Sequence, residues 1–280
     1  MKYPESIVAI RRKVLQDIPQ LGLGGKGFVK VDFQQFLNLT KRGLIIGQRE
    51  DLDESLHWGE SYKGNRDYAQ WLNYFTVEEH GTPAFQPVVN PYMRAREGNG
   101  ESDLQGRGSL CPGGHTDFLD VKTVINAGGI PTSIIDAYAT LLYNVMREAF
   151  EEMTWFVNGE KFVAWENEGT PAERLIATVH SLAHLASLHF EGLIFDATDN
   201  VGRLHVAVAL RLRLRKGVTV GSREKGVDFI PPVALRDFAS VYPGVGLENW
   251  SKLFAEHLNS LDTDYEIGED LFANLGWNAQ

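Results

Sequence analysis

The feature that most constrains this chain is a helical pattern over residues 134–153 whose last turn is acidic. The pattern follows the glycine-rich sequence SLCPGGH and ends in R-E-A-F-E-E. Positions i, i+3 and i+4 of a helix share one face, so Glu148, Glu151 and Glu152 are expected to project together. Three neighbouring carboxylates repel one another unless a cation lies between them, and hard oxygen ligands suit Mg²⁺, Mn²⁺ or Ca²⁺. A loop followed by such a helix indicates a metal-dependent enzyme that acts on phosphates.

Composition limits the class of protein. The chain has 280 residues, 43% of them hydrophobic, and a formal net charge of −10, so we expect no stable binding of nucleic acid. The single cysteine, Cys111, excludes an internal disulfide and fits a reducing cytoplasm. The N-terminus lacks the apolar core of a signal peptide, and no run approaches the roughly 18 apolar residues of a membrane span. A soluble cytoplasmic protein with no membrane partner is therefore expected.

Helical and strand patterns alternate along the chain and predict a mixed sheet flanked by helices, that is, an α/β (α+β) fold. Asn158-Gly159 between apolar runs predicts a hairpin. Arg211, Arg213 and Arg215 alternate with leucines, which predicts a solvated strand face. Helices are predicted at 4–17, 134–153, 170–189, 232–240 and 247–259, and strands at 28–33, 43–48, 71–79, 86–97, 190–196, 204–215 and 227–231.

Three regions are expected along the chain. Residues 1–68 form an N-terminal extension packed on the core, and residues 69–262 form the catalytic domain. Residues 263–280 form an acidic tail that we expect to be loosely held.

Part of this sequence resembles the Nudix hydrolase signature, G-x5-E-x7-R-E-U-x-E-E-x-G-U, in which U is a bulky aliphatic residue. Residues 147–152 match R-E-U-x-E-E with Ala149 in the position of U, and Gly113-Gly114 match the glycines at the start. The resemblance implies a mixed β-sheet sandwiched between helices, with the N-terminal extension and further insertions added to it.

The chain resembles more closely a branch of predicted Nudix phosphoesterases, met in bacteria and phages, whose signature begins with G-G-H. The likeness covers roughly residues 70–260. It is carried by Y-M-R-A-R at 92–96, S-L-C-P-G-G-H at 109–115, V-G-R-L-H at 201–205 and N-W-S at 249–251.

Three positions depart from the family pattern. Arg147 lies 33 residues after Gly114, where the family has 14, so about 19 extra residues intervene. Ala139 stands where the first glutamate of the signature is expected, and Thr154 replaces its last glycine. The geometry of the loop is therefore expected to differ from that of the family.

The resemblance implies roles for single residues. Glu148, Glu151 and Glu152 are the expected ligands of Mg²⁺ or Mn²⁺, with a backbone carbonyl near Gly114 completing the shell. Arg147 pairs with a glutamate of the signature and completes the catalytic group. The expected substrate-binding residues are Arg94, Arg96 and His115, and the unranked candidates for the general base are Glu168, Glu173 and Glu191.

The implied function is hydrolysis of a phosphoanhydride bond in a nucleoside diphosphate linked to another moiety, with a small nucleotide-derived substrate. A first alternative is a catalytically silent Nudix-like domain that binds a nucleotide as a sensor or scaffold. A second is an isomerase of isoprenyl diphosphates, which would need Cys111 and a glutamate facing a small apolar pocket. Many members of the family dimerise, so a homodimer is left open.

Overall fold

In the part of the chain that the structure describes, nine strands form a mixed sheet around three long neighbouring strands, β4 (Tyr68–Glu78), β12 (His205–Leu214) and β11 (Ala186–Asp196). β4 and β12 are parallel, whereas β12 and β11 are antiparallel. Side chains of a strand alternate between the faces of a sheet, so the apolar residues of β4 divide between two cores. Trp71 and Phe75 enter one core, and Tyr74 enters the other. β4 thus lies between two buried apolar layers.

The computed structural model describes residues 6–18, 25–48, 68–94, 107–116, 137–163, 177, 180–196, 198, 202, 205–223 and 227–273. The remaining strands are β1 (Ser6–Arg11), β2 (Lys26–Val29), β3 (Leu44–Gln48), β5 (Val88–Val89), β6 (Tyr92–Arg94), β7 (Gly108–Ser109), β8 (Gly113–His115), β9 (Met153–Val157), β10 (Glu160–Phe162), β13 (Val218–Ser222), β14 (Val227–Phe229) and β15 (Val233–Ala234). The helices are Arg12–Leu15, Phe33–Gly43, Ala137–Glu152, Phe238–Val241 and Asn249–Asn259, with a 3₁₀ turn at Leu235–Asp237 and helical residues at 180–185.

The order of the main sheet is β15-β5-β4-β12-β11-β2. In addition, β1 pairs with β3 and β4, and β8 pairs with β4. Two smaller sheets have the orders β10-β9-β13 and β14-β6-β7. The first contains the predicted hairpin, in which Asn158 and Gly159 both have positive φ, at 52° and 85°.

Helices cover both faces of the main sheet. Helix Ala137–Glu152, here called the acidic helix, packs with helix Phe33–Gly43 on the core that contains Trp71. Helix Asn249–Asn259, here called the C-terminal helix, packs on the core that contains Tyr74. The predicted α/β (α+β) fold, a mixed sheet between helices, is therefore confirmed.

Two predictions for the N-terminal region are wrong. The helix expected at 4–17 is a strand at Ser6–Arg11, which pairs with β3 and β4, and only Arg12–Leu15 is helical. Helix Phe33–Gly43 was not predicted, although its start carries a capping box in which Asp32 and Gln35 bond to each other's backbone N–H groups. Pairing within the sheet outweighed local helical periodicity in the first case.

Two further boundaries differ from the prediction. The helix expected over 170–189 ends at residue 185, because residues 186–189 already pair with β12. The segment after residue 262 was expected to be loosely held, but up to residue 273 it is docked. Leu271 and Phe272 are buried, and Asp270 accepts a hydrogen bond from the backbone N–H of Leu188.

The arginines of β12 do not form a solvated face, because Arg211 is fully buried. Its guanidinium pairs with Glu78 at 2.6 Å and with Glu191 at 3.2 Å, and both carboxylates are fully buried as well. Glu191 also accepts hydrogen bonds from Tyr265 (2.6 Å) and His257 (3.3 Å). One buried cation thus links β4, β11, β12, the C-terminal helix and the segment that follows it.

Substitution Arg211→Met is expected to lower the free energy of unfolding by about 3–5 kcal/mol, because it leaves Glu78 and Glu191 buried without their shared cation. Arg215→Met is the matched control, since Arg215 is 48% exposed and pairs with Asp270, and its expected cost is about 0–1 kcal/mol. Urea unfolding of the two variants measures the difference. Equal losses would show that the buried network does not carry this stability.

Candidate functional site

The carboxylates of the acidic helix lie at its C-terminal end, where the helix dipole disfavours negative charge. Glu148, Glu151 and Glu152 lie in the last two turns, and β9 begins at Met153. The C-terminal end of a helix carries partial negative charge, and acidic side chains there each cost about 0.3–1 kcal/mol. Apolar residues of the same helix, including Leu141 and Val145, are fully buried and hold it against the sheet. The carboxylates are therefore held at an unfavourable position by packing elsewhere.

Strand β8 brings a glycine pair against this end of the helix. A Cβ atom at Gly114 would lie 2.4 Å from the carboxyl carbon of Glu148, so the Glu148 carboxylate occupies the space in which a side chain would stand. A Cβ atom at Gly113, whose φ is +148°, would lie 2.2 Å from the carbonyl oxygen of Asn73. Position 113 therefore requires glycine, and a side chain at position 114 would displace the Glu148 carboxylate.

Three of the four predicted catalytic residues, Arg147, Glu148 and Glu152, lie against β8. Arg147 pairs with Glu148 at 2.7 Å and with Glu151 at 2.9 Å. Arg147 also donates a hydrogen bond to the carbonyl oxygen of His115 at 3.2 Å, and Glu152 accepts one from the backbone N–H of Gly113 at 3.4 Å. The structure therefore brings Arg147, Glu148 and Glu152 to β8 across the inserted residues of the loop, whereas Glu151 is 60% exposed and reaches β8 only through Arg147.

A buried amide network that the sequence analysis missed fixes the helix to the sheet. Asn144 donates to the carbonyl oxygen of His115 at 2.9 Å and accepts from the side chain of Asn73. Asn73 in turn accepts from the indole N–H of Trp71 at 2.9 Å and donates to Thr116 at 3.3 Å. Both asparagines interrupt apolar runs, W-L-N-Y-F and L-L-Y-N-V-M, and that interruption is the signal available in the sequence.

Not all predicted site residues join the acidic helix. The side chain of His115 contacts His205, beside Trp250 of the C-terminal helix, and so lies on the opposite face of β8 from Glu148. Arg94 ends β6 in a separate small sheet, and its side chain lies outside the described residues, as does all of Arg96.

Of the three candidates for the general base, the structure describes one, Glu191. Glu168 and Glu173 lie outside the described residues. Burial alone would raise the pKa of Glu191, but the hydrogen bond from His257 and the charge of Arg211 outweigh it and lower the pKa below its usual range. Glu191 is thus a buried anion paired with Arg211, and its position gives no support to a role as general base.

The loop before β8 is anchored to the C-terminal helix. Ser251, in the N-W-S segment, accepts a hydrogen bond from the backbone N–H of Leu110 at 2.9 Å. Tyr74 bonds to Ser251 at 2.6 Å and to Glu248, and burial followed by the charge of Glu248 raises the pKa of its phenol. The phenol therefore stays protonated and serves as a fixed donor.

Cys111 lies in the same buried region. It is fully buried, and burial together with the charge of Glu248 raises the pKa of its thiol. A thiol in this environment packs as a small apolar group. This placement gives no support to the isomerase alternative, which needs a cysteine facing a pocket.

The donor chemistry at the glycine pair suits a hard divalent cation. Glu148 and Glu152 supply carboxylate oxygens beside the Gly113-Gly114 backbone, and Mg²⁺ and Mn²⁺ prefer such oxygen donors. Within the described part of the chain, no three His, Cys, Asp or Glu side chains already surround one point as metal ligands. Glu151 would have to turn away from Arg147 to become a third ligand, and its exposure makes such a rotation sterically open.

Comparison with known proteins supports the fold. The crystal structure of Tm1382, a putative Nudix hydrolase, matches with a TM-score of 0.56 and 20% sequence identity over 91% of this chain and 98% of that one. No protein-family model and no curated protein matches the sequence. The chain therefore has a Nudix-like fold, and the resemblance first seen in its motifs is confirmed at that level.

Two other solved structures also match. A NUDIX hydrolase from Alicyclobacillus acidocaldarius matches at 17% identity with a TM-score of 0.36, over 69% of this chain and 92% of that one. A MutT/nudix family protein from Enterococcus faecalis matches at 10% identity with a TM-score of 0.32, over 75% of this chain and 72% of that one.

Substitution Gly114→Ala is expected to lower the free energy of unfolding by about 1–3 kcal/mol, because the new methyl group collides with the Glu148 carboxylate. Gly27→Ala in β2 is the control, since nothing lies within 4 Å of a Cβ atom there. In a double-mutant cycle measured by urea unfolding, adding Glu148→Ala should recover part of the loss. Strictly additive losses would contradict the close approach.

Proposed function

We propose that this protein is a metal-dependent hydrolase that cleaves a phosphoanhydride bond in a nucleoside diphosphate linked to another moiety. The observation that carries the proposal is the position of the Glu148 carboxylate against Gly114, with Glu152 beside Gly113. This is the pairing of helix and glycines that the Nudix signature implies, and it forms here although 33 residues separate Gly114 from Arg147. The Nudix-like fold supports the same reading.

In the proposed site, Glu148, Glu151 and Glu152 bind Mg²⁺ or Mn²⁺, and a backbone carbonyl near Gly114 adds a further oxygen. A divalent ion held there would neutralise phosphate charge and lower the pKa of a bound water. Arg147 holds Glu148 in place and ties the helix to the carbonyl oxygen of His115. The role of Arg147 in the proposal is therefore to position the carboxylates rather than to touch the substrate.

The substrate contacts remain part of the proposal. Arg94 and Arg96 are assigned to the phosphates of a small nucleotide-derived substrate, because a chain of net charge −10 needs local cations to hold a polyanion. His115 contributes to the acidic site through its backbone carbonyl, whereas its imidazole lies on the other face of β8.

No helix in the described part of the chain is long and apolar enough to cross a membrane.

Release of phosphate or nucleotide from a panel of ADP-ribose, NADH, dinucleoside polyphosphates, nucleoside triphosphates and sugar nucleotides tests the proposal. One class should be hydrolysed in Mg²⁺ or Mn²⁺, with EDTA abolishing turnover. Glu152→Gln should lower kcat/KM by at least about 100-fold, beyond the roughly 10- to 100-fold typical of losing an outer-shell partner.

The matched control is Glu160→Gln, because Glu160 is an exposed carboxylate in the β9–β10 hairpin. It should leave turnover unchanged. If a folded protein hydrolyses no compound, the hydrolase proposal fails. If its melting temperature nevertheless rises with one nucleotide, the silent nucleotide-binding domain becomes the better description.

A further inference from the structure

Two histidines from distant segments of the chain meet above β4. His115 lies in β8 and His205 begins β12, and these strands pair with the two opposite edges of β4. Their imidazoles reach across it, so that the two Nε2 atoms are 3.2 Å apart and the ring centroids 5.2 Å apart. Two of the motifs noted in the sequence, G-G-H and V-G-R-L-H, therefore converge on one pair of ring nitrogens.

A third polar group contacts the same nitrogen of His205. The side-chain oxygen of Gln70 lies 3.1 Å from Nε2 of His205, so this single nitrogen faces both Gln70 and His115. Each ring nitrogen of a neutral imidazole carries either a proton or a lone pair. When Nε2 of His205 carries the proton, it shares that proton between Gln70 and His115, and both hydrogen bonds are weak. The amide nitrogen of Gln70 is buried and has no hydrogen-bond partner within the described part of the chain. Buried donors are nearly always satisfied, so the amide nitrogen of Gln70 requires a further partner, such as a bound oxygen.

We propose that His115, His205 and Gln70 bind a borderline transition-metal ion of the Zn²⁺ or Co²⁺ type. Ligand nitrogens about 2.0–2.1 Å from a tetrahedral ion lie about 3.3 Å from each other, by the geometry of the tetrahedron. Two of the three ligand separations, 3.2 Å between the two nitrogens and 3.1 Å between Nε2 of His205 and the amide oxygen, are close to that edge length. Imidazole nitrogen is a preferred donor for these ions, whereas Mg²⁺ prefers oxygen.

Two of the three proposed ligands are shielded from solvent. His205 and Gln70 are both buried, and the indole of Trp250 stands at 73° to the His205 ring with centroids 6.0 Å apart. Tyr74 supports Trp250 from the other side, also edge to face. Three protein ligands leave one position of a tetrahedral ion for a water or anion oxygen, to which the amide nitrogen of Gln70 can donate.

This site is separate from the carboxylates of the acidic helix. Gly114 faces Glu148 and the next residue, His115, faces His205, because successive residues of β8 point to opposite faces. The two sites thus lie back to back across one strand, with oxygen donors on one side and imidazoles on the other. The inference does not depend on the hydrolase proposal.

Titration of the metal-free, full-length protein with Co²⁺ tests the proposal through the visible absorption of the bound ion. A competing chromophoric chelator gives the affinity for Zn²⁺. The wild type should bind stoichiometrically, and His115→Gln and His205→Gln should each weaken binding by at least about 100-fold. His184→Ala is the matched control, because His184 is an exposed histidine in the helical residues 180–185.

Glu152→Gln separates this site from the carboxylate site. It should leave Co²⁺ binding unchanged when binding is followed by the intense visible band of the tetrahedral ion, because Co²⁺ on six oxygen ligands absorbs weakly. Circular dichroism and melting of each variant exclude unfolding as the cause, and the half-exposed position of His115 makes His115→Gln the safer variant. Absence of stoichiometric binding would overturn the proposal. Binding that survives both histidine substitutions, or that falls in Glu152→Gln, would also overturn it.

Discussion

The contact between the Glu148 carboxylate and the backbone of Gly114 is the constraint on which the site depends. It places the carboxylate at the end of the acidic helix directly on β8, where a side chain at position 114 would displace it. Asn144 and Arg147 then both donate to the carbonyl oxygen of His115, which fixes the rotation of the helix relative to the strand. A cluster of carboxylates that is unfavourable for the helix itself is thereby held at one place, as the proposed divalent-metal site requires.

The same strand, β4, organises the rest of the molecule. Its Asn73 side faces the acidic helix, its Tyr74 side faces the C-terminal helix, and its last residue, Glu78, meets the buried Arg211. Polar groups at these points are buried and mutually satisfied, so each fixes one neighbour of β4 in register and orientation. The candidate site therefore rests on a polar framework inside the sheet as well as on the apolar cores.

Local patterns in the sequence correctly predict the elements whose conformation depends on residues close by in the chain. The acidic helix was predicted at 134–153 and is found at Ala137–Glu152, and Asn158-Gly159 forms the expected hairpin. In both cases the side-chain period or the turn residues alone specify the conformation. The proximity of Glu148 and Gly114 could be expected only through the resemblance to the Nudix signature, because the residues between them hide it.

The burial of Arg211 and the meeting of two histidines could not be predicted, because both depend on residues that are distant in the chain. Arg211 alternates with leucines like a solvated residue, and only the arrival of Glu78 and Glu191 from neighbouring strands makes its burial favourable. The meeting of His115 and His205 likewise requires both to flank β4. The helix at Phe33–Gly43 is different, since its capping box is visible in D-F-Q-Q and was overlooked.

Binding of Mn²⁺ measured by electron paramagnetic resonance tests the central claim most directly, because the signal of free Mn²⁺ falls when the ion is bound. The account predicts that the wild type and Glu160→Gln bind Mn²⁺ alike, and that a variant carrying both Glu148→Gln and Glu152→Gln loses this binding while remaining folded. Equal binding by all three proteins would contradict the assignment of these carboxylates, and so would the absence of binding to the wild type.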